Sequence, residues 1–122
     1  MESDGMMMSV GVDIIEIDRI KHAIEKRGER FLKRIYSDRE IAYCSSKVNP
    51  YPSYAVRFAA KESYIKAKGG LHGKCLAQIE VSRQENGQPY FIVNGKRERR
   101  LHLSLSHCHA YAVAIASPGR LL

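Results

Sequence analysis

The 122-residue chain has no tryptophan, three cysteines and four prolines, and no apolar run long enough to cross a membrane. Each shortage excludes something. Cys44, Cys75 and Cys108 are odd in number, widely spaced and form no C-x-x-C pair. Neither a disulfide framework nor a zinc ribbon is supported, and reduced thiols in the cytoplasm are the simple expectation. Acidic residues are in the minority: 13 Asp and Glu face 20 Lys and Arg, for a net charge of +7. That surplus points to an acidic partner, whether nucleic acid, anionic lipid, an acidic protein or a phosphorylated small molecule, and charge does not choose among them. The opening residues MESDGMMMS carry acids and no apolar core, so a signal peptide is not expected. Residues 1–9 read as a flexible tail, and residues 10–122 as a single domain. No repeat or low-complexity segment interrupts it.

The most informative stretch is SYAVRFAAKESYIKAKGG, Ser53 to Gly70. Four alanines favour a helix, Ser53 is a candidate N-cap, and Gly69–Gly70 is a stop signal. Tyr54, Phe58 and Ile65 mark the expected inward face, and Glu62 falls on it. A carboxylate aimed at a core is costly unless it is paired or holds a metal. Lys66 follows Glu62 at i+4, while Arg57, Lys61 and Lys68 cluster on another side. Two readings compete: an ordinary Glu62–Lys66 surface pair, or a metal-binding carboxylate beside a lysine with phosphate as their shared partner.

Val10 to Ile17 reads as a strand, and alternation puts Asp13 on the face of Ile15 and Ile17. Asp13 is thus a second acid aimed at apolar surroundings, unless it is a strand-end aspartate bonded to backbone. Gly11 permits close backbone approach beside it. Asp18 is a candidate N-cap for a helix over Arg19–Arg27 that Gly28 closes. Its basic side, with Arg19, Lys26 and Arg27 and then Arg30, is either a solvated face or a docking surface for an acidic helix. A short helical segment at Phe31–Ile35 follows. Ser37 and Glu40 then form a capping box for a helix through Ser45, and NPYPS is a loop.

Beyond the central helix, LHGK is a loop that matches no P-loop pattern. Strands are expected at Leu76–Ser82 and Pro89–Val93 around Asn86–Gly87, with a second turn at Asn94–Gly95 and a charged loop at 96–100. Leu101–His107 and Ala110–Ala116 alternate, and the all-alanine face of the latter suits close packing within the fold or against another subunit. Helices first and antiparallel strands after make the class α+β. His107 and His109 fall on one strand face by alternation, but no third or fourth zinc ligand is evident. A histidine at a turn meeting phosphate is the preferred reading of His107.

Three segments, GVDIIEIDRI, RFAAKESYIKAKG and LSLSHCHAYAVA, together resemble the bacterial holo-acyl-carrier-protein synthases, the small phosphopantetheinyl transferases. Order, separations and total length agree, so the resemblance spans nearly the whole chain from Val10. It implies a Mg-dependent transfer of 4'-phosphopantetheine from coenzyme A to a serine of apo acyl carrier protein, releasing adenosine 3',5'-bisphosphate. By the same resemblance Asp13 and Glu62 hold magnesium on the pyrophosphate and Lys66 stands near the phosphates. Arg57, Lys61, Ser106 and His107 surround the nucleotide of coenzyme A, and Gly69 and Gly70 lie at the phosphates. Arg19 docks the acidic carrier, helped by Lys26, Arg27 and Arg30. The resemblance further implies a homotrimer with sites between subunits, in fatty-acid or polyketide carrier maturation. One departure stands out: the family's GTG-type loop here reads GGLHG.

A small basic nucleic-acid-binding domain is the main rival. It leaves Asp13 and Glu62 unexplained, and the aromatics form no recognised stacking platform.

Overall fold

The computed structural model describes residues 8–119, and residues 1–7 of the expected tail lie outside them. Met8 packs against the core and the Ser9 amide donates to the Ala67 carbonyl at 2.9 Å, which ties both to the domain. Strand β1 (Gly11–Glu16) precedes helices α1 (Ile17–Arg27), α2 (Glu29–Ile35), α3 (Asp38–Ser45) and α4 (Tyr51–Lys68). A 3-10 turn (Leu76–Gln78) leads to β2 (Ile79–Arg83), β3 (Pro89–Val93), β4 (Lys96–Glu98), β5 (His102–His107) and β6 (Tyr111–Ser117). The class is α+β, as expected.

The strands form two antiparallel sheets, ordered β1-β6-β5 and β2-β3-β4. The first strand of the chain therefore pairs with the last, placing Asp13 opposite Ala114. The second sheet gains β4 where a charged loop was expected. Asn94 and Gly95 take φ of 52° and 81°, the turn geometry that folds Lys96–Glu98 back onto β3.

Helix α4 is enclosed by β1, β6, β5, β2 and α1. Ala55, Ala59, Ala60 and Ala67 are out of solvent, and so are Ala112, Ala114 and Ala116 on the facing side of β6. Small side chains on both partners bring sheet and helix into close contact. Gly11 carries this furthest, because a Cβ there would stand 1.9 Å from the Ser63 carbonyl oxygen. The alanine face of β6 is thus used inside the fold.

Two helix starts differ from expectation. Helix α4 begins at Tyr51, so Ser53 lies inside its first turn. Proline is accepted at the first turn, where backbone N–H groups have no helical partner. Helix α1 begins at Ile17 after Glu16, which leaves Asp18 in the first turn, where a negative charge suits the dipole. The capping box of α3 forms as read: Ser37 Oγ accepts from the Glu40 amide and Glu40 Oε1 from the Ser37 amide.

Candidate active site

Asp13 and Glu62 line one groove of about 390 Å³ between β1, α1 and α4. The wall is apolar, with Ile15, Ile20, Phe31 and Phe58, and Arg19 stands at the same groove. Asp13 comes from the middle of β1 and bonds no strand-end backbone; Lys66 reaches it instead. Lys66 Nζ is 3.3 Å from Asp13 Oδ1 and donates to the Val12 carbonyl at 2.9 Å. The expected Glu62–Lys66 surface pair gives way to this contact across β1. Burial raises the pKa of Glu62, the Asp13 carboxylate raises it further, and Lys66 pulls it down. Two acids therefore repel each other in a half-buried groove that one lysine only partly compensates.

The burial of α4 differs from the pattern read in the sequence. Phe58, Glu62 and Ile65 are only partly buried, while Arg57, Lys61 and Lys68 are buried. A helix covered on most sides leaves open the stripe that the groove needs, and its apolar residues there become groove wall. The cations expected on a free face are internal. Lys61 has no exposure; its Nζ donates to Glu40 Oε1 at 2.7 Å and to the carbonyls of Leu76 and Ile79. Burial lowers its pKa, and Glu40 opposes the shift. With all three donors engaged, Lys61 is a strut joining α4 to α3 and β2, and the structure does not present it to a ligand. Lys68 Nζ lies 3.7 Å from Glu98, over the Tyr64 ring.

Arg57 occupies a second cavity, with Arg39, Tyr43, Glu80 and Arg83. Its guanidinium lies 4.6 Å from the Tyr43 ring centre, and its buried Nε has no hydrogen-bond partner. Three arginines meet in this cavity, and Glu40 and Glu80 offset part of their charge, with Arg39 3.8 Å from Glu80. Gly69 closes α4 in left-handed conformation, and Gly70 follows it at φ 146°. In the loop that follows, His72 Nε2 lies 2.7 Å from the Lys68 carbonyl oxygen.

Ser106 and His107 lie on β5, with β6 between them and Asp13 on β1. One chain does not bring them to the Asp13–Glu62 groove. His107 ends β5 and His109 follows in a turn, so the two do not share a strand face. Among the described residues no three His, Cys, Asp or Glu side chains gather where a metal could sit. Arg19, Lys26, Arg27 and Arg30 are all exposed on α1 and α2.

Sequence reasoning missed Glu40 as the partner of Lys61. The capping box accounted for its carboxylate, yet Glu40 Oε2 also accepts from the Val81 amide at 2.9 Å. No local signal announces a contact forty-one residues away. Phe31 and Ile20 as groove walls escaped for the same reason.

On this small α+β fold, two carboxylates share one groove, with Lys66 bonded to Asp13 and Arg19 at the groove's edge. The chain belongs to the 4'-phosphopantetheinyl transferase superfamily, whose family model matches residues 9–116. It is 47% identical over 116 residues to a holo-[acyl-carrier-protein] synthase of Chlamydia muridarum, covering 90% of this chain and 93% of that one. The holo-(acyl-carrier-protein) synthase of Bacillus anthracis, solved in complex with CoA (3',5'-ADP), superposes with a TM-score of 0.76 at 32% identity, over 92% of this chain and 96% of the other. The Helicobacter pylori holo-[acyl-carrier-protein] synthase, in complex with coenzyme A, gives 0.74 at 27% identity over 88% and 97%.

Proposed function

We propose that this chain transfers the 4'-phosphopantetheine group of coenzyme A to a serine of an apo acyl carrier protein. The single observation that carries the reading is Asp13 and Glu62 facing one groove with Lys66 bonded to Asp13. In the reaction the carrier serine oxygen attacks the phosphorus next to the pantetheine arm. The bond from that phosphorus to the bridging oxygen breaks, and adenosine 3',5'-bisphosphate leaves with the electron pair. The serine proton passes to a groove carboxylate or to water.

Asp13 and Glu62 fit a magnesium ion. Two carboxylates that destabilise each other gain from a shared cation, and their small number leaves room for phosphate oxygens and water. A magnesium ion held there would neutralise charge developing on the departing 5'-phosphate of adenosine 3',5'-bisphosphate. Lys66 adds a positive charge at the same place and orients Asp13. Arg57, in its cavity with Arg39 and Arg83, receives a phosphate of the nucleotide end. Gly69 and Gly70 extend the Glu62–Lys66 stripe of α4 towards the phosphates. Arg19, standing at the groove, docks the acidic carrier where its serine must enter, and Lys26, Arg27 and Arg30 extend the basic surface.

A homotrimer accounts for Ser106 and His107. The outer face of β1-β6-β5 exposes Val12 at 48%, Ile14 at 63% and Tyr111 at 46%. Apolar side chains on a sheet face suit burial against a neighbour, and a neighbour brings its own β5 close to the groove. The free thiols of Cys44, Cys75 and Cys108 accord with the cytoplasm. Among the described residues no helix is long and apolar enough to cross a membrane. Fatty-acid-type carriers are the first substrates to try.

The test is the intact mass of an apo carrier after incubation with this protein, coenzyme A and magnesium. The expected result is a gain of one phosphopantetheine, abolished by EDTA and in Glu62→Gln. No gain with several carriers overturns the reading, as does near-normal turnover by Glu62→Gln at saturating magnesium. Retention on nucleic acid that weakens with salt and ignores magnesium would then favour the nucleic-acid reading.

A further inference from the structure

The loop that ends α4 makes unusual demands on its backbone. Gly69, Gly70 and Gly73 take φ of 77°, 146° and 81°, and His72 among them takes 51°. Glycine adopts such angles freely, whereas a histidine there bears a steric cost. What offsets that cost is visible: His72 Nε2 lies 2.7 Å from the Lys68 carbonyl oxygen. A carbonyl only accepts, so Nε2 carries the proton in this contact.

The bonded carbonyl belongs to the last turn of α4, the negative end of the helix dipole. Glu62 and Lys66 lie one turn apart on α4, and the helix ends at Lys68, so the loop begins within a turn of Lys66. An anionic group that settles at Gly69–Gly70 must approach a helix end that repels it. The His72 N–H occupies one of the repelling carbonyls. It also closes the segment from Lys68 to His72 into a ring, which fixes the glycine backbone between them.

We propose that His72 is a positioning residue for coenzyme A: its ring caps Lys68 and holds the Gly69–Gly73 loop in the shape that accepts the phosphates. The inference rests on the reading of Gly69 and Gly70 as phosphate contacts. It assigns a role to the segment in which this chain departs from the GTG-type pattern.

The test compares wild type, His72→Gly and His72→Asn. Glycine keeps the backbone angle and removes the ring, and asparagine tolerates the angle with a shorter donor. Kd for coenzyme A is read by calorimetry, and KM for each substrate by carrier mass. The expected result for His72→Gly is a Kd and KM for coenzyme A raised about three- to tenfold, the scale of one lost hydrogen bond. The carrier KM and the kcat at saturating coenzyme A should stay within about twofold. Added imidazole should restore part of the affinity, and His72→Asn should fall between the two. A lowered Tm with unchanged coenzyme A affinity in both variants assigns His72 to stability alone and overturns the inference while leaving the transfer reaction standing. A wild type that binds no coenzyme A overturns both.

Discussion

Lys61 and Glu62 are neighbours in sequence with opposite fates. The Lys61 ammonium is sealed in the interior 2.7 Å from Glu40 Oε1, while the Glu62 carboxylate looks into the groove beside Asp13. One residue of helical rotation, about 100°, separates a buried ion pair from the groove. The strut therefore sets how α4 turns, and through that where Glu62 points.

Lys61→Met should destabilise the protein by about 3–5 kcal/mol, because it leaves the Glu40 carboxylate buried and without its cation. Urea unfolding followed by circular dichroism measures this. A loss below about 1 kcal/mol would show that the pair contributes little to the fold.

Gly11→Ala should cost about 3 kcal/mol, since the new methyl meets the Ser63 carbonyl and not a movable side chain. The Tm of the purified variant checks it. Wild-type stability would mean that β1 and α4 can separate at no cost.

Glu62 should make the metal-free protein less stable near neutrality. Its folded-state pKa is raised above 4.5 by burial and by Asp13, so the folded form holds the proton more tightly than the unfolded chain does. That contribution favours folding below the unfolded-state value and is lost as pH rises through the folded-state value. In EDTA, Glu62→Gln should therefore have a higher Tm than wild type at about pH 7, and the difference should vanish at about pH 4. Magnesium should raise the Tm of wild type and leave the variant nearly unmoved. An equal magnesium response in both proteins would count against Glu62 as a ligand.

Arg19→Ala should raise the carrier KM about tenfold at low salt and leave coenzyme A affinity unchanged, because an exposed charge acts on encounter and orientation. Raised salt should shrink the difference between variant and wild type. An unchanged carrier KM would remove Arg19 from the docking surface.

Much of this was legible locally. The stop at Gly69, the capping box at Ser37–Glu40, the strand with Asp13 on its inner face and the hairpin turns all depend on residues a few positions apart. Asp13 and Glu62 stand out as misplaced acids from spacing alone, since an acid on an apolar stripe needs a reason. Arg57, Lys61 and Lys68 misled the same reasoning. Periodicity assumes a helix with one wet side, and α4 is covered on most of its circumference.

By itself the sequence determined the element types apart from β4, singled out Asp13, Glu62 and Lys66, and carried the motifs shared with phosphopantetheinyl transferases. Local backbone preference and side-chain spacing suffice for those. Only the tertiary structure decided that β1 pairs with β6, that Lys61 serves Glu40, that Lys66 reaches Asp13 and that Ser106 and His107 stand apart from the groove. These contacts join residues far apart in the chain. Their energies come from burial and desolvation, which exist only once the chain has closed around them.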